Sequence, residues 1–247
     1  MRYLVLTDIH ANLEALDACT ADARARGFDR TLVLGDVVGY GADPNAVIVR
    51  VQALDPVAIV RGNHDKVAAG IEWAEGFNHV ARSAAHWTLD VLTPEHRAWL
   101  ANLPEGPAIV DDLIEICHGS PFDEDAYIFN ELDAARALGV ARRPLCLFGH
   151  THHPVTFVLC NGALDSLEPS AAAEAQVPLV DGSKYLLNPG AVGQPRDGDS
   201  RAAYAIVDED RKRVELYRSP YAIDATQAKV VKAGLPEVLA QRLAVGR

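Results

Sequence analysis

Apolar positions in the first sixty residues fall into short runs separated by stretches of helical spacing. Tyr3 to Ile9, Thr31 to Leu34 and Val57 to Val60 are rich in strand formers. Asn12 opens a helical pattern through Leu13, Leu16, Ala18 and Ala23, with Asn12 itself as the N-cap, and Asn45 to Leu54 follows Pro44 as a second helix. Strands alternating with helices predict a parallel sheet. Ligands gather beyond the carboxyl ends of such strands, which is where Asp8, Asp36 and Asn63 stand.

From Lys66 to Pro107 the alternation stops, and the pattern predicts a helical insertion over about 66–107. Asn78 caps a helix with the stripe Val80, Ala84, Trp87 and Val91, and Pro94 opens another through Trp99 and Leu100. His79, Arg82 and His86 share a face of the first and read as solvated. Leu113 to Cys117 and Leu145 to Phe148 are strand-like runs that end before His118 and before His150. Val155 to Cys160, Leu179 to Asn188, Ala202 to Asp208 and Arg213 to Arg218 predict successive antiparallel strands, with Asn161 to Gln176 as a mobile loop. A helical tail, about 222–247, breaks near Gly234 and Pro236. The whole reads as one domain over residues 1–247.

Composition narrows the function. Hydrophobic residues make up 49% and charged residues 23%, an ordinary globular balance. The net charge is −11 and no long Lys/Arg-rich run stands out, which argues against an extended nucleic-acid face or a membrane surface. A small anionic substrate is compatible with that charge, because bound divalent cations reverse the local field. The apolar run at Met1–Asp8 is too short for a signal peptide, and no stretch reaches a membrane span. Cys19, Cys117, Cys146 and Cys160 lack Cys-X-X-Cys spacing, so reduced thiols in a cytoplasmic protein are expected. Homo-oligomerisation is left open.

Five short stretches carry metal-type ligands, each after a strand-like run: Asp8-Ile9-His10, Gly35-Asp36-Val37-Val38-Gly39, Gly62-Asn63-His64-Asp65, His118-Gly119 and Gly149-His150-Thr151-His152. Asp36, with no packing reason to end an apolar run, reads as a carboxylate bridging two metals. Alternate strand residues share a face, so Asp8 with His10, and His150 with His152, would each grip one cation if strand geometry persisted. Carboxylate and imidazole ligands suit Mn, the first choice, or Fe, Co, Ni or Zn; the absence of thiolates from these motifs argues against a Cys-type structural zinc site. Two divalent cations against two carboxylates and a bridging hydroxide leave about +1, which suits a phosphate ester and its hydrolysis.

In this order the motifs resemble the calcineurin-like metallophosphoesterase superfamily, from Met1 to about Arg218. Asn188-Pro189-Gly190-Ala191-Val192-Gly193-Gln194-Pro195-Arg196 is similar to a stretch of its small bacterial, phosphodiesterase-type members. The resemblance implies an α/β fold: a four-layer αββα sandwich, two mixed β-sheets flanked by helices, with a dinuclear site at one edge. It implies Asp8, His10 and His152 on one metal, Asn63, His118 and His150 on the other, and Asp36 on both. His64 would contact substrate and protonate the leaving group. Gly39-Tyr40 stands where the monoesterase branches carry Asp-Arg, and Asp65 where they carry Glu. Lacking that arginine, the site is expected to prefer phosphodiesters, with a monoesterase or dinucleoside polyphosphate hydrolase as the alternative and a non-catalytic scaffold as a weaker one. Arg61, Arg82 and Arg196 are the candidate replacements for the missing cation, and Tyr40 and the Trp87-bearing insertion the candidate walls for a second ester arm.

Overall fold

Alternation along the first strand, Arg2–Leu6 (β1), decides the layering. Leu4 and Leu6 join one apolar cluster, while Tyr3 and Val5 join another. The computed structural model describes residues 1–167 and 174–247. After β1 come α1 (Leu13–Arg26), β2 (Arg30–Val33), α2 (Pro44–Ala53), β3 (Ala58–Ile59), α3 (Asn63–Ala69), α4 (His79–Val91) and α5 (Pro94–Ala101). Then follow β4 (Ala108–Ile109), β5 (Ile114–Ile116), α6 (Glu131–Val140), β6 (Leu145–Leu147), β7 (Val155–Cys160), β8 (Ala163–Leu167), β9 (Glu174–Pro178) and β10 (Lys184–Asn188). The chain closes with β11 (Ala202–Asp208), β12 (Arg213–Ser219), α7 (Ile223–Lys232) and α8 (Glu237–Val245).

Two six-stranded mixed sheets result, in the orders β3-β2-β1-β11-β12-β9 and β4-β5-β6-β10-β7-β8. Tyr3, Val5, Leu32, Ala205 and Val207 of the first face Ile114, Ile116, Leu145 and Leu187 of the second across the central core. Leu4, Val33, Tyr204 and Ile206 pack outward on Leu16, Val47, Ile48 and Leu100 of the helices. On the opposite flank, Ala134, Ala137 and Leu138 of α6 cover Cys146, Phe148 and Leu186. The predicted αββα sandwich is therefore the fold.

Several local readings change. The four late strands do not form one antiparallel series: β10 pairs antiparallel with β7 but parallel with β6, whereas β11 and β12 lie in the other sheet. Leu179 to Ser183 is a turn rather than strand, closed by Ser183 N–H donating to Val180 O at 3.1 Å. Asn161 to Gln176 contains β8 and the start of β9, which extend opposite sheets; its centre lies outside the described residues. Asn63 and His64 open α3, where the Asp65 carboxylate accepts the Gly62 N–H at 2.9 Å and caps it. Asn12 caps α1 as expected, accepting from Ala15 N at 3.1 Å.

Val91 is exposed rather than part of a buried stripe. Trp87 packs towards Val230 and Leu239 of the tail helices. His79 and His86 are exposed, and Arg82 donates to the backbone carbonyls of Ala74, Glu75 and Phe77.

Candidate metal centre

Because β1, β2 and β3 run parallel, Asp8, Asp36 and Asn63 emerge at one edge of the first sheet. Parallel β5 and β6 deliver His118 and His150 from the second. Strand geometry does not persist through these loops. Asp8, His10, Asp36, His150 and His152 all have φ between 48° and 66°, so the shared-face argument for Asp8 with His10 and His150 with His152 does not hold. Left-handed turns bring the side chains inward instead, held by Asp8 N–H on Gly35 O at 3.1 Å and His10 N–H on Asp36 O at 2.9 Å.

The ligand atoms of Asp8, His10, Asp36 and His152 lie within 4.8 Å of one another, as do those of Asp36, His118 and His150. Asp36 is common to both groups, its Oδ2 standing 3.5 Å from His10 Nε2 and 3.5 Å from His118 Nε2. Asp8 Oδ1 is 3.3 Å from His152 Nε2, and Asn63 Oδ1 is 3.3 Å from His118 Nε2. All seven ligands anticipated from the sequence thus meet in one place. His64 stands beside them, its backbone N–H donating to Asp36 Oδ1 at 2.9 Å.

Backbone carbonyls, invisible to sequence reasoning, set the imidazoles. His10, His118 and His152 donate from Nδ1 to Val38 O at 3.2 Å, Leu34 O at 2.8 Å and Gln194 O at 2.7 Å, which turns each Nε2 inward. His150 uses the opposite nitrogen, Nε2 donating to Asp125 O at 3.1 Å, and so offers Nδ1. His10 and His152 Nε2 consequently face each other at 3.1 Å. With both Nδ1 protons committed, two lone pairs oppose there, an arrangement that a cation between them stabilises.

Electrostatics agree with that reading. Burial holds His10 and His152 well below the ordinary imidazole range and lowers His150 to about 3. Burial raises Asp8 to about 6, with His118 opposing and Asp36 adding. For Asp36 burial is outweighed by His118, His64 and His10, which hold it well below its ordinary value. His118 is raised to about 10, the pull of Asp36 and Asp8 overcoming burial. A site that retains a proton this tightly between carboxylates also attracts a metal cation.

Support comes from motif residues without a role assigned from the sequence. Asp65, fully buried, accepts from Val38 N at 3.1 Å as well as from Gly62 N, tying the loop after β2 to the start of α3. Asn188 Nδ2 donates to Gly149 O at 2.7 Å and Thr151 Oγ1 at 3.0 Å, bracing the His150 turn.

Above the cluster opens a cleft of about 520 Å³. Tyr40, Phe77 and Tyr127 form its aromatic walls, and His64 lines it while its Nδ1 is buried with no partner among the described residues. Burial lowers His64 to about 4. Of the candidate arginines, Arg61 is held by Glu124 at 2.8 and 2.9 Å, away from the cleft, whereas Arg196 lines it with Arg242 and Arg247 from the tail. The sequence reading had given the tail no role in the site. Tyr40 is a wall as expected, the insertion supplies Phe77 rather than Trp87, and Tyr127 is a third.

A family model described as a calcineurin-like phosphoesterase superfamily domain matches residues 1–212. The uncharacterized protein MJ0912 of Methanocaldococcus jannaschii is 36% identical over 252 residues, 98% of this chain and 97% of that protein. A crystal structure of a metallophosphoesterase from Sphaerobacter thermophilus is 41% identical, with a TM-score of 0.87 over 100% of this chain and 99% of that one. The hypothetical protein PH1004 from Pyrococcus horikoshii OT3 shares the fold, with a TM-score of 0.80 at 20% identity, over 100% of this chain and 98% of that one. Motif order, sheet topology and the paired ligand groups around Asp36 all lead to one assignment: the chain belongs to the calcineurin-like phosphoesterase superfamily.

Proposed function

We propose that the protein is a dinuclear-metal phosphoester hydrolase that acts on small phosphodiesters. The observation carrying this reading is the pair of ligand groups that share Asp36, with His10 and His152 opposing two lone pairs at 3.1 Å. Asp8, His10 and His152 would hold one ion, Asn63, His118 and His150 the other, and Asp36 both. Two divalent cations bound there, of which Mn is our first choice, would activate water near neutral pH and offset the charge of the phosphoryl group.

The chain's own part is to orient and to move a proton. Asn63 and His64 open α3 beside the cleft and face a bound phosphate. His64 hydrogen-bonds the phosphate and its leaving group. With its own value lowered to about 4 it is neutral at pH 7, so the acid role depends on an anionic substrate raising its proton affinity. Tyr40, Phe77 and Tyr127 offer an apolar wall for the second ester arm. The four unpaired cysteines support a cytoplasmic location, and no helix among the described residues is long and apolar enough to cross a membrane.

One observation favours a second reading. The diester preference was argued from a missing arginine, yet Arg196 reaches the cleft, 3.3 Å from the Tyr40 hydroxyl. A monoesterase or a dinucleoside polyphosphate hydrolase would use such a cation. The test is kcat/KM for bis-p-nitrophenyl phosphate against p-nitrophenyl phosphate, at one pH and one Mn concentration. A diester advantage supports the first reading. A monoester advantage of about tenfold, roughly 1.4 kcal/mol of transition-state discrimination, installs the second. Turnover of neither, with two ions bound, refutes both.

A further inference from the structure

The cleft holds a concentration of positive charge that an acidic chain does not lead one to expect. Net charge is −11, yet Arg196, Arg242 and Arg247 all line the space above the ligand groups. None of the three is ion-paired with a carboxylate among the described residues. Most other arginines near acidic groups are: Arg61 with Glu124, Arg201 with Asp199 and Arg218 with Asp197. Arg196 donates from Nη2 to Tyr40 Oη at 3.3 Å and to Gln194 Oε1 at 3.2 Å, but its Nε is buried without a partner. An unpaired, half-buried guanidinium is costly to keep unless an anion joins it.

The other two arginines come from the tail, beyond the matched family region of 1–212. Val230, Leu235, Leu239 and Ala240 of α7, α8 and the link between them pack with Tyr40, anchoring the tail to the loop after β2. The end of the tail is fixed as well. Gly198 N–H donates to Gly246 O at 2.9 Å, and Gly246, with φ +63°, approaches Asp199 so closely that a Cβ would lie 2.6 Å from its backbone. Two hydrophobically docked helices and a pinned Gly246 thus carry Arg242 and Arg247 to the rim of the cleft that Arg196 also lines.

The scissile phosphate does not need this set. A cluster of about +1 already matches the single charge of a diester. Resting on the phosphoesterase reading above, we propose that the substrate carries a second phosphate group on the arm remote from the scissile bond, and that Arg196, Arg242 and Arg247 bind it. The tail is then a substrate-selecting element. Hydrolysis leaves this second phosphate untouched: the water oxygen forms the new P–O bond as the P–O bond to the leaving group breaks, the leaving group departs with a proton, and the second phosphate, on the arm retained in the product, serves for binding alone.

The test uses two diesters with the same leaving group, p-nitrophenyl thymidine 5′-phosphate and its 3′-phosphorylated counterpart, with Mn in excess of both. Wild type is expected to favour the 3′-phosphorylated substrate by about tenfold or more in kcat/KM, the order expected of charge-assisted hydrogen bonds. In Arg242→Ala/Arg247→Ala the ratio falls to about one, and in Arg242→Lys/Arg247→Lys a part of it returns, since charge without the planar fork is retained. A circular dichroism melt shows that each variant is folded. A wild-type ratio within twofold of one, or a ratio that survives the double alanine substitution, overturns the proposal. Failure of the phosphoesterase reading is distinct: neither ester is then hydrolysed by wild type.

Discussion

Replacing Gly39 by alanine puts a methyl group where His64 now lies. A Cβ built on Gly39 stands 2.5 Å from His64 Nδ1, 2.9 Å from Cγ and 3.0 Å from Cβ. Ordinary contact distances are nearer about 3.5 Å, so the imidazole has to shift by roughly 1 Å. Gly39 also has φ +97°, which a residue with a side chain adopts at a cost of about 1–2 kcal/mol. Neither effect touches a proposed metal ligand, so two ions per chain should remain. Displacing a positioned group by about 1 Å costs on the order of a hundredfold in rate. That loss is expected with an alkyl leaving group, which needs a proton; a p-nitrophenyl ester should lose roughly tenfold or less. The assay is kcat/KM for a methyl and a p-nitrophenyl ester of the same phosphate, beside metal content and a thermal melt. In a His64→Asn background the same substitution should cost much less, because the displaced group is already gone. A folded, fully metallated Gly39→Ala enzyme within threefold of wild type on the methyl ester would refute the reasoning.

Asp36→Ala should release both ions and His118→Ala should weaken mainly one, read by metal analysis after dialysis; equal losses from the two variants would reject a shared Asp36. In the metal-free protein His118 is raised to about 10 from its ordinary value near 6.5. Its contribution is therefore fully present below about pH 6.5 and lost as pH climbs towards 10. The melting temperature of metal-free protein should fall over that window, flatten on adding Mn, and fall less in His118→Asn; an unchanged slope in that variant counts against the assignment. Asp65→Ala strands the buried Gly62 and Val38 N–H donors, at about 1–3 kcal/mol each. Urea unfolding should show roughly 2–6 kcal/mol lost, and a loss below about 1 kcal/mol would mean those donors find other partners.

The ligand-bearing loops were legible because each lies where an apolar run ends in a residue with no place in a core. Asp8, Asp36, Asn63, His118 and His150 could be picked out by that mismatch; the runs by themselves predicted only a parallel sheet, and the four-layer sandwich came from the family resemblance. The route by which side chains converge was not legible. Left-handed backbone at Asp8, His10 and His152 is a tertiary outcome, set by hydrogen bonds such as His10 N–H on Asp36 O. Sheet membership was equally hidden, since β9 and β10 stand only one short turn apart in sequence but join opposite sheets. Arg242 and Arg247 escaped for a related reason: in the sequence they sit on a helical tail more than 40 residues beyond the last motif residue, Arg196. Only the docking of α7 and α8 on Tyr40 brings them back.

The ligand groups straddle the seam of the sandwich, with Asp8, Asp36 and Asn63 on one sheet and His118 and His150 on the other. Each group is therefore a gauge of how the sheets are aligned. A slip of one residue along a strand is about 3.3 Å, a large fraction of the 4.8 Å that encloses each set of ligand atoms. A slipped sandwich would still bury its apolar faces but could not assemble the centre. Ion capture at the proposed centre would then work as a final inspection in assembly: neither half of the chain could pass it alone, and a chain whose sheets had mated out of register would fail to form either ligand group.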